Sequence, residues 1–520
     1  MKLFKSFATV GGFTLMSRVL GFGREILIAA LLGSGPVAEA FFVAFRFPNL
    51  FRRLFAEGAF NSAFIPLFAK RLEGEGPKEA QRFASEALSV LVFALIVVTA
   101  LAEIFMPWAM LGMAGGFVKH QEKFDLAVLL TRITMPYLLF VSLLALYSGI
   151  LNAFHKFAAA AAAPVLLNVV FIATLAVLLL LKVGNRPEAG IVMAWAVSIA
   201  GLLQLLVVMV AAKKIGMALR LRLPRLTPGV RRLLQLGVPG VLAGGIVQIN
   251  IVIGTLIASM QNHAISWLNY ADRLYQLPLG VIGIAIGVVL LPDISRLLRA
   301  GQEQAAMDSQ NRSLEMSLLL TLPASVALAV VPEPLISVLF ERGHFTAHDS
   351  EMVGLALLAF AFGLPAFVLT KVFQPGYFAR EDTRAPMVYA GLSMLANVTI
   401  SLALFPWLGH IGIAIATSVA GWLNTFLLWR GLAKRRHFAL DAQARHALPR
   451  ILFSSLLMGG ALFLLLPYLA PWLDRGEPFF IRSGALGGLV VAGVVIYFFI
   501  AALVGAFSVR ALVSRLGRRG

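Results

Sequence analysis

Seven arginines stand inside or at the margins of long apolar stretches of this 520-residue chain: Arg18, Arg24, Arg46, Arg52, Arg53, Arg132 and Arg273. A guanidinium in hydrocarbon costs several kcal/mol, so such residues face protein or a water-filled cavity and commonly mark a cargo path. With Lys371 they form a cationic set opposed by few acids in the same stretches, chiefly Glu25, Glu57 and Asp272. That imbalance points to an anionic cargo, because the planar guanidinium fork takes two phosphate or carboxylate oxygens at once. Snorkelling to a headgroup accounts for Arg53 or Arg132 singly. It accounts poorly for Arg18 and Arg24, which share one short segment.

Spacing sorts these residues onto faces. In SRVLGFGRE (17–25), Ser17, Gly21 and Arg24 share one helical face, while Arg18 and Glu25 share the adjacent one. Gly21 and Gly23 predict a bend between the charges. Glu25 can balance one arginine and leave another for ligand; the competing reading is an internal ion-pair network. In FRFPNLFRRLFAEGAF (45–60), Pro48 predicts a kink, and Asn49, Arg53 and Glu57 form one polar ridge with Arg52 turned about 100° away. Glu39 and Glu57 lie about 27 Å apart on a straight helix and cannot share a site. They predict an outer and an inner gate, each acid pairing with a cation of the opposite half. In SWLNYADRLYQLP (266–278), Asn269, Asp272, Arg273 and Gln276 make one polar face.

The elements that must hold these residues are membrane helices. The chain is 59% hydrophobic with mean hydropathy +0.87, far from soluble composition, and about 20 apolar residues suffice for each crossing. Fourteen such stretches are expected: 7–32, 38–68, 84–108, 126–153, 158–181, 189–212, 233–260, 264–291, 314–340, 351–378, 386–407, 410–430, 450–472 and 483–508. Lys and Arg concentrate at the termini and in the even-numbered loops, which predicts cytoplasmic termini. The net charge of +19 is explained by this topology rather than by nucleic acid. MKLFK is basic, but the following apolar stretch carries arginines and predicts no cleavable signal peptide. The absence of cysteine excludes disulfides and thiol chemistry.

Three weak similarities recur at nearly one offset: Arg46 with Arg273, Pro136 with Pro365, and Asn168 with Asn397. They predict an all-α protein of two pseudo-symmetric six-helix lobes in the same orientation plus two appended helices. The expected segments are 1–215 (N-lobe), 216–232 (basic cytoplasmic linker), 233–436 (C-lobe) and 437–520 (helices 13 and 14). The linker region KKIGMALRLRLPRLTPGVRR (213–232) is amphipathic, and reads either as a segment on the anionic inner leaflet or as a topogenic connector. His344 and His348 beside Glu341, Asp349 and Glu351 have metal-like spacing but read better as a solvated loop. No GxxxxGK motif predicts an ATPase, no catalytic group or metal site stands out, and no cofactor is expected.

The segments SRVLGFGRE (17–25), EAFFVAFRFPNLFRRLFAEGAFNSAFIPLF (39–68) and NYADRLYQLPLGVIGIAIGVVLLPDIS (269–295) resemble those of the MurJ (MviN) family, bacterial lipid II flippases. The similarity continues more thinly through KVFQPGYFAREDTRAP (371–386) to about residue 430. It implies membership of the multidrug/oligosaccharidyl-lipid/polysaccharide exporter superfamily, with helices 13 and 14 shaping a groove for the lipid tail. It also implies alternating access, a location in the bacterial inner membrane, lipid II and the bilayer as partners, and cell-wall synthesis proteins as candidate partners. Residue by residue, it implies roles for Arg18, Arg24, Arg52, Arg53 and Arg273, with Ser17, Glu25, Glu39, Asn49, Glu57 and Asp272 as polar companions. Glu25 and Glu39 stand where aspartate occurs in some members. Ile253 and Ser401 occupy the nearest positions to a sodium site attributed to the family, so the membrane potential is the expected driver.

Three other readings compete. A multidrug/cation antiporter of the same superfamily calls for a cavity dominated by acids. A flippase for another polyprenyl-linked saccharide shares the charge argument. A membrane-embedded glycosyltransferase calls for a catalytic carboxylate beside a sizeable extramembrane loop, and the outer loops are short.

Overall fold

The structure is a computed structural model that describes residues 2–52 and 60–506. Arg53 and Glu57 lie outside the described residues. Among the described residues the chain is helical, without strands. Ten helical runs are long and apolar enough to cross a membrane. The chain divides into two compact units, residues 1–266 with 342–345, and residues 267–341 with 346–520.

Unit 1 contains α1 (Lys2–Leu32), α2 (Pro36–Phe51), α3 (Asn61–Gly74), α4 (Pro77–Ala114), α5 (Gln121–Thr134), α6 (Pro136–Ala153), α7 (Phe157–Leu180), α8 (Pro187–Lys214) and α9 (Pro228–Ala258). Proline opens α2, α4, α6, α8 and α9, where its missing N–H would have no intrahelical partner and its fixed φ suits the first turn. Within the unit α1 packs along α7, α6 along α8, α2 against α5, and α9 against α4. A phenylalanine ladder fills one core, with the Phe64 ring 5.6 Å from Phe68 and 5.7 Å from Phe83. α1 runs unbroken through Gly21 and Gly23, contrary to the expected bend. α1 packs along α7 over this stretch, and a Cβ on Gly21 would meet the Asn168 amide at an ordinary 3.6 Å, so the glycines leave the helix straight.

Residues 342–345 belong to unit 1 because they interlock with the end of α1. His344 N donates to Ala30 O at 3.0 Å. Gly33 has φ +63°, and a Cβ there would come within 2.3 Å of His344 O. Only glycine serves at that position on both counts.

α10 (Ala264–Arg299) begins in unit 1 and continues as the first helix of unit 2. It is followed by α11 (Glu303–Val330), α12 (Pro332–Phe340), α13 (Ala347–Phe378), α14 (Arg384–Leu408), α15 (His410–Lys434), α16 (Ala442–Leu473) and α17 (Phe479–Leu503). α13 is central, packing on α11, α12 and α15, while α16 and α17 pair and lean on α11 and α12. A capping box at Thr346 and Asp349 starts α13. Two buried tyrosine hydroxyls inside the unit are satisfied by helix carbonyls: Tyr377 Oη donates to Leu428 O and Tyr497 Oη to Leu319 O, both at 2.7 Å.

Candidate functional site

The best-defined charged cluster joins α1, α2 and α7. Arg24 is only 8% exposed and Glu25 4%, and Arg24 Nη2 donates to Glu25 Oε1 at 2.7 Å. Arg24 Nη1 donates to Asn168 Oδ1 at 3.0 Å. Asn168 Nδ2 in turn donates to Ser17 O at 2.9 Å, tying α7 to α1 about two turns before the arginine. The guanidinium lies 5.4 Å from the centroid of Phe171 and 6.0 Å from that of Phe45, rings whose faces attract a desolvated cation. The second fork of Arg24 is therefore held by a neutral amide, an acceptor that a stronger anion can displace. Arg18, half-buried on the same helix, has no hydrogen-bond or ion-pair partner among the described residues.

Spacing had grouped Glu25 with Arg18, but the adjacent Arg24 is the one that reaches it. Asn168 entered the sequence reading only as a mark of repetition. Its role as the amide linking Ser17 to Arg24 depends on how α7 lies across α1, which no pattern within either segment states.

On α2, Asn49 Nδ2 donates to Phe45 O at 2.7 Å and Arg52 Nε donates to Asn49 Oδ1 at 3.0 Å. The carbonyl that Pro48 leaves without its helical donor, Ala44 O, accepts Thr134 Oγ1 of α5 at 3.0 Å, while the asparagine orients the arginine. Arg46 Nη1 donates to Thr255 Oγ1 of α9 at 2.8 Å. Arg132 belongs to a peripheral pair, with Nε 3.2 Å from Glu103 O and the side chain 44% exposed.

Glu39, 1% exposed, pairs with Lys123 of α5, a residue that sequence reading leaves in a loop. Lys123 Nζ also sits 4.1 Å from the Phe117 ring centroid. The other Glu39 oxygen, Oε1, accepts Ile265 N at 3.1 Å, so the acid caps the start of α10. Ser34 Oγ and His263 Nδ1, 2.7 Å apart, join α2's approach to the same turn. The cation facing Glu39 thus comes from its own unit rather than from the opposite half.

In unit 2, Asn269 is buried, and Asp272 and Arg273 are half-buried on α10, with Gln276 Nε2 donating to Asp272. Lys371 is exposed on α13. Ser401 and Asn397 are buried on α14, and Ile253 is half-buried on α9. Of the acids between α12 and the first turn of α13, Asp349 accepts from Trp267 Nε1 at 2.8 Å and Glu341 pairs with Arg475 at 2.8 Å. These bonds occupy carboxylates that the spacing beside His344 and His348 had offered to a metal.

Ten helical runs of membrane length among the described residues make this a polytopic membrane protein, and its fold is shared with MATE-family transporters. An inward-facing MATE-family multidrug transporter of the MOP superfamily matches with a TM-score of 0.63 at 14% identity, covering 81% of this chain and 95% of that one. The family follows from closer comparisons. The chain belongs to the lipid II flippase MurJ family, whose profile matches residues 28–482. It is 46% identical to the probable lipid II flippase MurJ of Rhizobium tropici, over 100% of this chain and 97% of the relative. It is 47% identical to that of Rhizobium meliloti (strain 1021), over 100% and 97%. A solved lipid II flippase MurJ in an inward closed conformation matches with a TM-score of 0.78 at 25% identity, covering 95% of this chain and 98% of that one.

Proposed function

We propose that this protein is a transporter, not an enzyme, that moves lipid II from the cytoplasmic to the periplasmic leaflet of the bacterial inner membrane. Family membership over nearly the whole chain carries the reading. The chemistry of the buried cluster supports it. The diphosphate headgroup cannot cross hydrocarbon unaided, and Arg24, held only by Glu25 and an amide, with Arg18 on the same helix, can replace its hydration.

In this reading the chain crosses the membrane fourteen times with both termini cytoplasmic. The segments are 1–215 and 233–436 as six-helix lobes, 216–232 as linker and 437–520 as helices for the lipid tail. The one-to-one correspondence of the apolar stretches with single or paired helices supports that count. Arg18, Arg24, Arg52, Arg53 and Arg273 contact the diphosphate, with Ser17 and Asn49 as hydrogen-bonding companions and Glu25 and Asp272 as tuning acids. Glu39 serves an outer gate and Glu57 an inner one. Depletion in the native host, followed by leaflet-resolved measurement of lipid-linked precursors, should show lipid II accumulating on the cytoplasmic side. Accumulation of a different polyprenyl-linked saccharide instead would reassign the cargo.

A further inference from the structure

The connection between α8 and α9 is neither a helix nor a loose loop. Residues 217–227 form no helix; alternate residues from Ala218 to Arg222 bond along the first turns of α4, and Thr227 N turns back onto Arg225 O at 2.9 Å. Gln81, Ser85 and Ser89 are spaced four residues apart and form a polar rail on one face of that helix. Gln81 Nε2 donates to Ala218 O at 2.8 Å. Ser85 Oγ accepts Arg220 N at 3.3 Å and Ser89 Oγ accepts Arg222 N at 2.9 Å. Each serine hydroxyl simultaneously donates to the carbonyl four residues back in its own helix, at 2.8 Å. The register works because four helical residues rise about 6 Å and two extended residues about 6.6 Å. Thr227 closes the segment, donating to Glu86 Oε2 at 2.8 Å and accepting Val230 N as the cap of α9.

The rail holds the backbone, and the side chains beyond it are left outward. Met217 is buried, whereas Leu221, Leu223 and Leu226 are 67%, 80% and 71% exposed. Arg220, Arg222 and Arg225 are exposed as well. Successive residues of an extended chain point to opposite sides, so Leu221 and Leu223 are presented to one side and Arg220 and Arg222 to the other by one clamped backbone. Water suits the arginines only, and hydrocarbon suits the leucines only. The boundary between acyl chains and headgroups suits both. α4 itself has a strongly apolar membrane-length window beyond the rail, which brings the clamped segment to such a boundary. Lys213, Lys214, Arg231 and Arg232 flank it, and no acid occurs between Glu188 and Asp272.

We infer that residues 217–227 form a strap that docks on anionic phospholipid headgroups of the inner leaflet, leucines in the acyl region and arginines on phosphates. The assignment of leaflet rests on the proposed topology; the affinity for an anionic surface does not. Because the strap joins α8 to α9 through α4, lipid charge sets the hold on the start of α9.

The chain lacks cysteine, so Leu223→Cys accepts a single environment-sensitive fluorophore in the full-length protein. In vesicles of equimolar phosphatidylcholine and phosphatidylglycerol the emission should shift to the blue, and aqueous iodide quenching should fall several-fold relative to phosphatidylcholine alone. Added salt should reverse both effects in the otherwise unaltered chain, and Arg220→Gln with Arg222→Gln and Arg225→Gln should abolish the dependence on phosphatidylglycerol. Equal iodide quenching in both vesicles would overturn the proposal, including the case of a strap covered by protein. A membrane-impermeant maleimide should label Arg222→Cys, on the headgroup side of the strap, only in permeabilised cells. Labelling of intact cells would overturn the leaflet assignment while leaving the vesicle result to stand or fall by itself.

Discussion

The two units bury charge in different ways. Unit 1 pairs ion with ion: Arg24 with Glu25, and Lys123 with Glu39, with all four side chains no more than 9% exposed. Unit 2, whose ion pairs such as Glu341 with Arg475 are partly exposed, answers its deeper charges Asp349 and Arg482 with neutral dipoles too: Asp349 takes the Trp267 indole N–H, and Arg482 donates to the Ser337 hydroxyl at 2.5 Å. A buried ion pair is costly to break, because the survivor is an uncompensated charge, whereas loss of a neutral partner forfeits one charge-assisted hydrogen bond. Unit 1 therefore holds interactions that an anion or a counter-charge can exchange. Unit 2's are local fastenings.

The largest expected effect lies at Arg24. Arg24→Ala should abolish complementation of a depleted host with normal membrane levels, and Arg24→Lys should restore it only partly, since an ammonium lacks the fork. Full activity of the alanine variant would remove the contrast between the units. Next is the second pair. Lys123→Met should destabilise the purified protein by about 3–5 kcal/mol in thermal unfolding, and Glu39→Gln added to it should recover much of the loss. A double variant no better than the single would show that the pair does not behave as a unit.

Smaller effects test unit 2. Trp267→Phe removes one hydrogen bond to a carboxylate that remains in its capping box, so a loss of about 1.5–3 kcal/mol is expected in the same assay. Arg482→Met, which deletes a buried cation bonded to the Ser337 hydroxyl, should stay within about 1 kcal/mol and leave complementation intact. Should it instead match the loss at Lys123, the distinction between exchangeable and local charge would fail.

A last, minor effect lies outside the spanning segments. Asp382 is held below the usual carboxylate range by the Ala385 N–H and the Arg435 guanidinium. Its contribution is present above the ordinary carboxylate pKa and fades as pH falls through the depressed value. Asp382→Asn should therefore weaken the protein slightly at neutral pH and lessen its acid sensitivity.

Residue type and order by themselves determined that this chain lives in a membrane. Apolar runs of spanning length permit nothing else once backbone groups must bond within their own segment. They also determined the family, through SRVLGFGRE and FRFPNLFRRLFAEGAF, and picked out Arg24, Glu25 and Glu39 as charges needing a reason. Which partner answers each charge was decided only by tertiary structure. Asn168 is 144 positions from Arg24 and Lys123 is 84 from Glu39, separations across which local periodicity carries no register. Helical spacing likewise suggested a bend at Gly21 and an amphipathic linker at 213–232. At the first, α1 stays continuous where it packs along α7, and at the second a rail of Gln81, Ser85 and Ser89 on α4 holds the linker backbone as a strap. In both places a contact between segments outweighed the preference within one, because a buried or interfacial polar group is held by whichever partner is near enough to satisfy it.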